Sequence, residues 1–261
     1  MSLTLTLDSG KKAFFVSDFH LGAPSYIESR KREQLIVRWL DEVVAPQAHY
    51  LFLLGDLFDF WFEYRRAVPK GFVRLLGKLA EINDKGVKLW FFPGNHDMWV
   101  DDYFSVELGM RIHRRPLSLQ IAGKRFYIAH GDGLGPGDKT YKKLKKVFES
   151  RWGRWIFRQI HPDTGIALAC YFSSRSRAQH AADDKHFLGE DEWLWQYAQE
   201  IDKHSPHDYY LFGHRHLPLD LPVGDRGARY VNTGEWLSDY TFAVFDGESL
   251  SLETYEPQPV L

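Results

Sequence analysis

Short apolar runs that end abruptly on ionisable residues constrain this chain most. Val87 to Phe92 has a single polar member, Lys88, and is closed by Pro93-Gly94. It is too short for an ordinary helix and rich in aromatic residues, so it predicts a buried strand. Asn95-His96-Asp97 follows at once. The same order recurs four times. Ala13 to Ser17 leads into Asp18-Phe19-His20, and Tyr50 to Leu54 leads into Gly55-Asp56-Leu57-Phe58-Asp59. Arg125 to Ala129 leads into His130-Gly131-Asp132, and Tyr209 to Phe212 into Gly213-His214-Arg215-His216. A buried strand has no room for such groups, whereas loops at strand exits can gather them into one cleft.

The segments between the runs fix the fold class. Ser25 to Val44 predicts a helix with Leu35, Ile36, Trp39, Leu40 and Val43 on one face and charges opposite; Pro46 ends it. Phe72 to Asn83 predicts a second, with Leu75, Leu76 and Leu79 inward and Gly86 closing it. Strand, helix, strand, helix, strand implies a mostly parallel sheet with crossover helices, whose ligands sit beyond the carboxyl ends of the strands. After Met110 the pattern changes. Leu117 to Ile121 and Arg125 to Ala129 flank Ala122-Gly123-Lys124 as a hairpin. Arg229 to Val231, Thr241 to Phe245 and Leu250 to Thr254 predict a final meander in a second sheet packed on the first. The expectation is one α/β domain over 1–261, with a helical insertion over 138–190.

That insertion is unlike its surroundings. Lys139 to Arg158 holds eight Lys or Arg and one acid, a local charge of +7 in a chain whose net charge is -2. Tyr141, Leu144, Phe148, Trp152 and Trp155 would share one face of a single helix. A basic amphipathic helix suits an anionic membrane surface or an anionic substrate; the alternative is a helix whose aromatics pack on the main domain. Glu190 to Ile201 predicts a structural helix with Trp193, Leu194, Tyr197, Ala198 and Ile201 inward.

Elsewhere composition mainly excludes. One cysteine, Cys170, rules out an internal disulfide framework. Met1 to Lys12 has no long apolar segment, so no secretory signal is expected, and no apolar run is long enough to span a bilayer. The small net charge gives no argument for nucleic-acid binding.

Asp18, His20, Asp56, Asn95, His130, His214 and His216 offer oxygen and imidazole nitrogen but no thiolate. That donor set suits Mn²⁺, Fe²⁺ or Zn²⁺. One ion would leave several donors unused; two ions sharing Asp56 use all seven. Such a pair, about 3.5–4 Å apart, activates water against phosphorus, which predicts cleavage of a phosphate ester or anhydride. His96 is placed to protonate a leaving oxygen or stabilise its charge, with Asp97 orienting the ring. Asp59 and Asp132 are expected to accept from ligand histidines. His49, His113, His161, His180, His186, His204 and His207 fit no such pattern and are expected to be surface or structural.

Together the five motifs resemble the signature of calcineurin-like metallophosphoesterases. The resemblance implies a four-layer α/β/β/α sandwich. It also implies the division of donors: Asp18, His20, Asp56 and His216 on one ion, Asp56, Asn95, His130 and His214 on the other. Within that family the chain is most similar to the UDP-2,3-diacylglucosamine hydrolases, through Ser17-Asp18-Phe19-His20-Leu21-Gly22, Leu54 to Trp61, and His130-Gly131-Asp132 followed by Asp138 and Tyr141. This likeness implies a Mn²⁺-dependent enzyme of lipid A biosynthesis, cytoplasmic and peripheral on the inner face of the inner membrane. Its substrate is a nucleotide-linked acylated sugar whose pyrophosphate is cut, and its inserted helices form a lid over the acyl chains. The same likeness points to Asn95, His96, Asp138, Tyr141, Ser174 and Arg177 as substrate contacts, in a neighbourhood that includes Ser173 and Arg175. The best-known branch has arginine where this chain has His96. A phosphodiesterase or phosphatase for a soluble ester is the competing enzymatic reading. A scaffold of the same fold, as in retromer, is the non-catalytic one, but such scaffolds typically lose the ligands or the tetrad histidine that this chain keeps.

Overall fold

A computed structural model describes residues 3–136, 139–180 and 186–257, leaving out the side chains of 139–141, 143, 144 and 176–180. Two six-stranded sheets pack face to face. The first runs β12 (Leu250–Thr254), β11 (Thr241–Phe245), β2 (Lys12–Val16), β3 (Ala48–Leu53), β4 (Lys88–Phe91) and β5 (Arg111–Ile112). Strands β2 to β5 are parallel, and β11 pairs antiparallel with β2. The second runs β1 (Leu3–Leu5), β6 (Leu117–Ile121), β7 (Lys124–Ile128), β8 (Tyr209–Phe212), β10 (Ala228–Thr233) and β9 (Pro218–Val223).

Alternation along the strands builds the layers. Ala13, Phe15, Phe52, Trp90 and Phe92 face the other sheet and meet Phe126, Ile128, Leu211 and Val231. Phe15 stacks on Phe52 at 4.7 Å and lies 5.7 Å from Phe126 across the interface. Phe14, Val16, Leu51, Leu53 and Phe91 point the opposite way. They bury Ile36 and Trp39 of α1 (Tyr26–Trp39) and Leu75 and Leu79 of α3 (Val73–Asp84). On the far side, Tyr210, Phe212 and Tyr230 cover Leu194 and Ala198 of α8 (Trp193–His204). The result is the expected α/β/β/α sandwich; each central strand is apolar on both faces because both are covered. Burying one such side chain contributes about 1.5–3 kcal/mol.

Helix ends follow local chemistry. Ser25 caps α1, its hydroxyl accepting from the Glu28 N–H at 3.2 Å. A π turn, Leu40–Val44, carries the helix into a short last turn, α2 (Ala45–Gln47), so the chain passes Pro46 before it straightens. Asn83 and Gly86 close α3: Gly86 donates to the Asn83 carbonyl at 2.8 Å with φ of +102°.

Three expectations need correction. The predicted final meander is split: β10 joins β8 in one sheet, whereas β11 and β12 extend the other. Periodicity marks strands but carries no information about which sheet receives them. The charged face predicted for the first helix is not wholly solvated either: Arg32 and Glu33 are buried. Finally, the basic stretch is not one helix. It breaks into α5 (Lys139–Phe148) and α6 (Arg151–Arg158), because Ser150 caps a new helix by accepting from the Gly153 N–H at 3.0 Å. The break changes the phase of the aromatic stripe. Phe157, rather than Trp155, packs on the core, 4.6 Å from Phe62 and 4.7 Å from Trp99. Trp152 and Trp155 stay 75% and 55% exposed. The next helix, α7 (Pro162–His180), returns along the core, and α4 (Tyr103–Glu107) completes the set.

Candidate metal centre

Every motif sits where a strand hands over to a loop, and the loops brace one another through backbone hydrogen bonds. Asp18 N–H donates to the Gly55 carbonyl at 3.0 Å, His20 N–H to Asp56 at 2.9 Å, and Gly213 N–H to His130 at 2.8 Å. Glycine makes this approach possible. A Cβ on Gly94 would overlap the Asp56 carboxylate and lie 2.7 Å from His130 Nε2; one on Gly213 would lie 2.7 Å from Asp18 Oδ2. The backbone is also strained here. Eight non-glycine residues have positive φ among the described residues, and five of them are Asp18, His20, Asp56, His214 and His216. Each such conformation costs of order 1–3 kcal/mol and persists only where its surroundings impose it.

The side chains converge. Donor atoms of Asp18, His20, Asp56 and His216 all lie within 4.8 Å of one another, and so do those of Asp56, His130 and His214. Asn95 Oδ1 joins the second group, 3.3 Å from His130 Nε2. All seven residues singled out from the sequence thus meet in one place, with Asp56 common to both groups.

Electrostatics fits a cation site. Asp18 and Asp56 are buried carboxylates. Burial opposes their charge, yet the facing histidines hold both carboxyls below the usual range: His20 and His216 for Asp18, His130 for Asp56. Burial likewise disfavours charge on His130, but Asp56 outweighs it and pushes the ring up to about 10. His214 is half-buried, and loss of water together with the neighbouring His130 pulls it down to about 4. Asp18 Oδ1 makes no well-directed hydrogen bond among the described residues, although His216 Nε2 is only 3.2 Å away. A buried carboxylate oxygen in that state is what a divalent ion would satisfy. Oxygen and imidazole donors without sulfur suit borderline metals.

His96 lies beside this centre, its ring 4.9 Å from that of His20. Its Nδ1 is 2.9 Å from the Asp59 carbonyl. Asp97 does not serve as its expected orienting partner. Instead Asp97 Oδ2 accepts from the Leu57 N–H at 2.8 Å and Oδ1 from the Gly94 N–H at 2.7 Å. It pins two motif loops together, and burial, then the nearby Asp56, pushes its carboxyl up to about 7. Asp59 Oδ1 stands 3.8 Å from His20 Nδ1, an ion-pair rather than a hydrogen-bond distance. Asp132 forms an ion pair with Lys145 at 2.7 Å. Ser174, exposed, donates to the Cys170 carbonyl at 2.8 Å. Asp138 and the side chains of Tyr141 and Arg177 lie outside the described residues.

Two buried arginines were not legible as part of the site. Arg32 reaches back from α1, its Nε donating to the Phe19 carbonyl at 2.7 Å and Nη2 to His20 at 2.6 Å. It holds the loop that carries Asp18 and His20. Arg215 pairs with buried Glu192 at 2.9 Å and lies 4.9 Å over the Trp193 ring, anchoring the loop of His214 and His216. Its place between two candidate ligands was the only signal; Arg32 gave none, since an arginine on an amphipathic helix normally reads as solvated.

The family profile described as Calcineurin-like phosphoesterase matches residues 11–218. The chain belongs to that family. With the clustered donors, this makes it a metal-dependent hydrolase. The UDP-2,3-diacylglucosamine hydrolase of Porphyromonas gingivalis (strain ATCC BAA-308 / W83) is 37% identical over 258 residues, covering 94% of this chain and 98% of the relative. That of Aeromonas salmonicida (strain A449) is 27% identical over 229 residues, 85% of each. Among solved structures, zinc-complexed Vps29 from Entamoeba histolytica aligns with a TM-score of 0.42 at 12% identity, covering 92% of this phosphoesterase and 89% of that chain.

Proposed function

We propose that this phosphoesterase cleaves the pyrophosphate of UDP-2,3-diacylglucosamine, giving UMP and 2,3-diacylglucosamine 1-phosphate, a step of lipid A biosynthesis. The observation that carries this reading is the near full-length likeness to the Porphyromonas gingivalis hydrolase of that substrate. The insertion adds support. Trp152, Trp155, Ile156, Leu168, Tyr171 and Phe172 are exposed on α6 and α7, whereas a soluble ester would need no apolar surface there. Phosphates are met by the basic residues of the same stretch.

Asp18, His20, Asp56 and His216 would hold one cation, and Asp56, Asn95, His130 and His214 the other, with Mn²⁺ the proposed metal. When bound, the pair supplies an activated water and positive charge against the phosphoryl oxygens. Asn95 contributes an oxygen donor without adding negative charge that would repel an anionic substrate. His96 turns Nδ1 to the Asp59 carbonyl, which leaves Nε2 to meet the departing oxygen. A sugar phosphate is a stable leaving group, so charge stabilisation by Nε2–H of the doubly protonated ring, whose Nδ1–H is held by Asp59, serves in place of complete proton transfer. Residues 138–190 form the lid in this reading, and Asp138, Tyr141, Ser174 and Arg177 would contact substrate. The basic, apolar-faced helices would bring the enzyme to the cytoplasmic surface of an anionic membrane. No helix among the described residues is long and apolar enough to cross one.

The test is an assay of Mn²⁺-loaded protein with UDP-2,3-diacylglucosamine, following UMP release. Release of UMP with the acylated sugar phosphate is expected. Turnover of simple aryl phosphodiesters with none of the lipid would overturn the assignment.

A further inference from the structure

The insertion does more than expose apolar surface: one of its residues reaches the centre. Ser173, on α7, places Oγ 2.9 Å from His96 Nδ1, 2.9 Å from Asp59 Oδ1 and 3.2 Å from the Asp59 carbonyl. Asp59 is buried, and its carbonyl is 2.9 Å from the same His96 nitrogen. A carbonyl only accepts, so Nδ1 carries the hydrogen. A carboxylate also only accepts, so the Ser173 hydroxyl donates to Asp59 Oδ1 and turns a lone pair to Nδ1–H. The His96 ring is therefore gripped at one nitrogen from two sides, the core loop of Asp59 and the inserted helix. Only Nε2 remains to exchange a proton at the centre.

We infer that Ser173 is a positioning residue for His96, so that the proton-handling group is complete only while α7 is seated on the core. The neighbouring Ser174, proposed above as a substrate contact, donates to the Cys170 carbonyl at 2.8 Å. The inference rests on the role proposed above for His96. It does not require the substrate to be a lipid.

A double-mutant cycle tests it, run on Mn²⁺-loaded full-length enzyme with whichever of UDP-2,3-diacylglucosamine and bis(4-nitrophenyl) phosphate is turned over. Ser173→Ala should lower kcat roughly five- to tenfold, the loss of one hydrogen bond in a polar network, with KM and bound metal unchanged. In a His96→Ala background the same change should alter kcat less than about twofold, because a residue that acts through His96 has nothing left to act on. Ser173→Thr, which keeps the hydroxyl, should retain most of the activity. A full Ser173→Ala effect persisting without His96, or an effect confined to KM, overturns the inference and makes Ser173 a substrate contact or a packing residue. Failure of the lipid to turn over would sink the substrate assignment while the cycle stays readable on the aryl diester.

Discussion

His20 Nε2 and His216 Nε2 face each other 3.0 Å apart, although 196 residues separate them. Both rings also approach Asp18 Oδ1, at 3.6 and 3.2 Å. Two imidazole nitrogens and a buried carboxylate oxygen aimed at one point are satisfied together by a cation. A cation that binds only the folded chain should stabilise it, by about 2.7 kcal/mol at a hundredfold excess over Kd. Thermal unfolding should therefore shift upward with Mn²⁺ in wild type and less in His216→Ala, whose metal content should fall by one ion. Asp56→Ala should lose both. A melting temperature indifferent to divalent metal would count against the whole centre.

The His96 ring lies against His20, outside the two donor groups that share Asp56, while its backbone N–H donates to Asp56 Oδ1 at 2.9 Å. His96→Ala should reduce turnover by about 10²–10⁴, the range for lost acid-base help. Metal analysis of the purified variant should still find both ions. If both are gone, His96 is a structural support for the centre and not part of its chemistry.

Asp97 has a different consequence. Its two oxygens accept from the amides of Leu57 and Gly94, which belong to separate motif loops. Asp97→Asn turns one acceptor into a donor facing an N–H, leaving a buried amide unsatisfied. Denaturant unfolding should show a loss of about 1–3 kcal/mol. A variant as stable as wild type with a large fall in kcat would restore the ring-orienting role that the geometry takes away.

Much of this was legible in the sequence, for identifiable reasons. Strand exits such as Leu54-Gly55-Asp56 are readable because a covered strand admits no polar residue, so the first Asp or His marks its end. Asp18, Asp56, His130 and His214 came from that rule, and His20, Asn95 and His216 from their places in the same exit loops. Left-handed backbone at Asp18, His20, Asp56, His214 and His216 was invisible, because nothing in a local pattern announces positive φ in a non-glycine residue. Sheet membership of β10, β11 and β12 was equally hidden, since it is decided by packing between distant strands. Arg32 was missed because burial of a charge depends on carbonyls that only the folded loop presents, here those of Phe19 and His20.

Away from the centre, His207 offers a pH-dependent contribution. It is buried, with Nδ1 2.6 Å from the Ser205 carbonyl and Nε2 2.5 Å from Ser118 Oγ. Burial lowers its pKa below the ordinary value of 6.5. As pH falls through that value, the unfolded chain binds a proton that the folded chain refuses, so stability is full above about pH 6.5 and is lost below it. His207→Gln removes the titration. The stability gap between wild type and variant, measured by denaturant melts in chelator, should narrow from pH 8 to pH 5.5. A constant gap would show that His207 takes no part in the acid response.

The exposed face of the insertion separates its two sequence-based alternatives. Phe157 packs on the core and Trp152, Trp155 and Ile156 do not, so the helix both anchors and presents apolar surface. Removing Phe157 would disturb the anchor, whereas Trp152 and Trp155 can be changed with little loss of packing. Indole rings beside Arg151 and Arg154 suit the interface of an anionic bilayer, where apolar burial and charge attraction add. Trp152→Ser with Trp155→Ser should keep the melting temperature and the kcat on a soluble diester. Co-sedimentation with vesicles containing anionic lipid should fall at least about tenfold, the loss of roughly 1.4 kcal/mol or more of apolar transfer. Equal vesicle binding by wild type and the double variant would assign these rings to the acyl chains of the substrate instead, and the KM for UDP-2,3-diacylglucosamine would then be the quantity that rises.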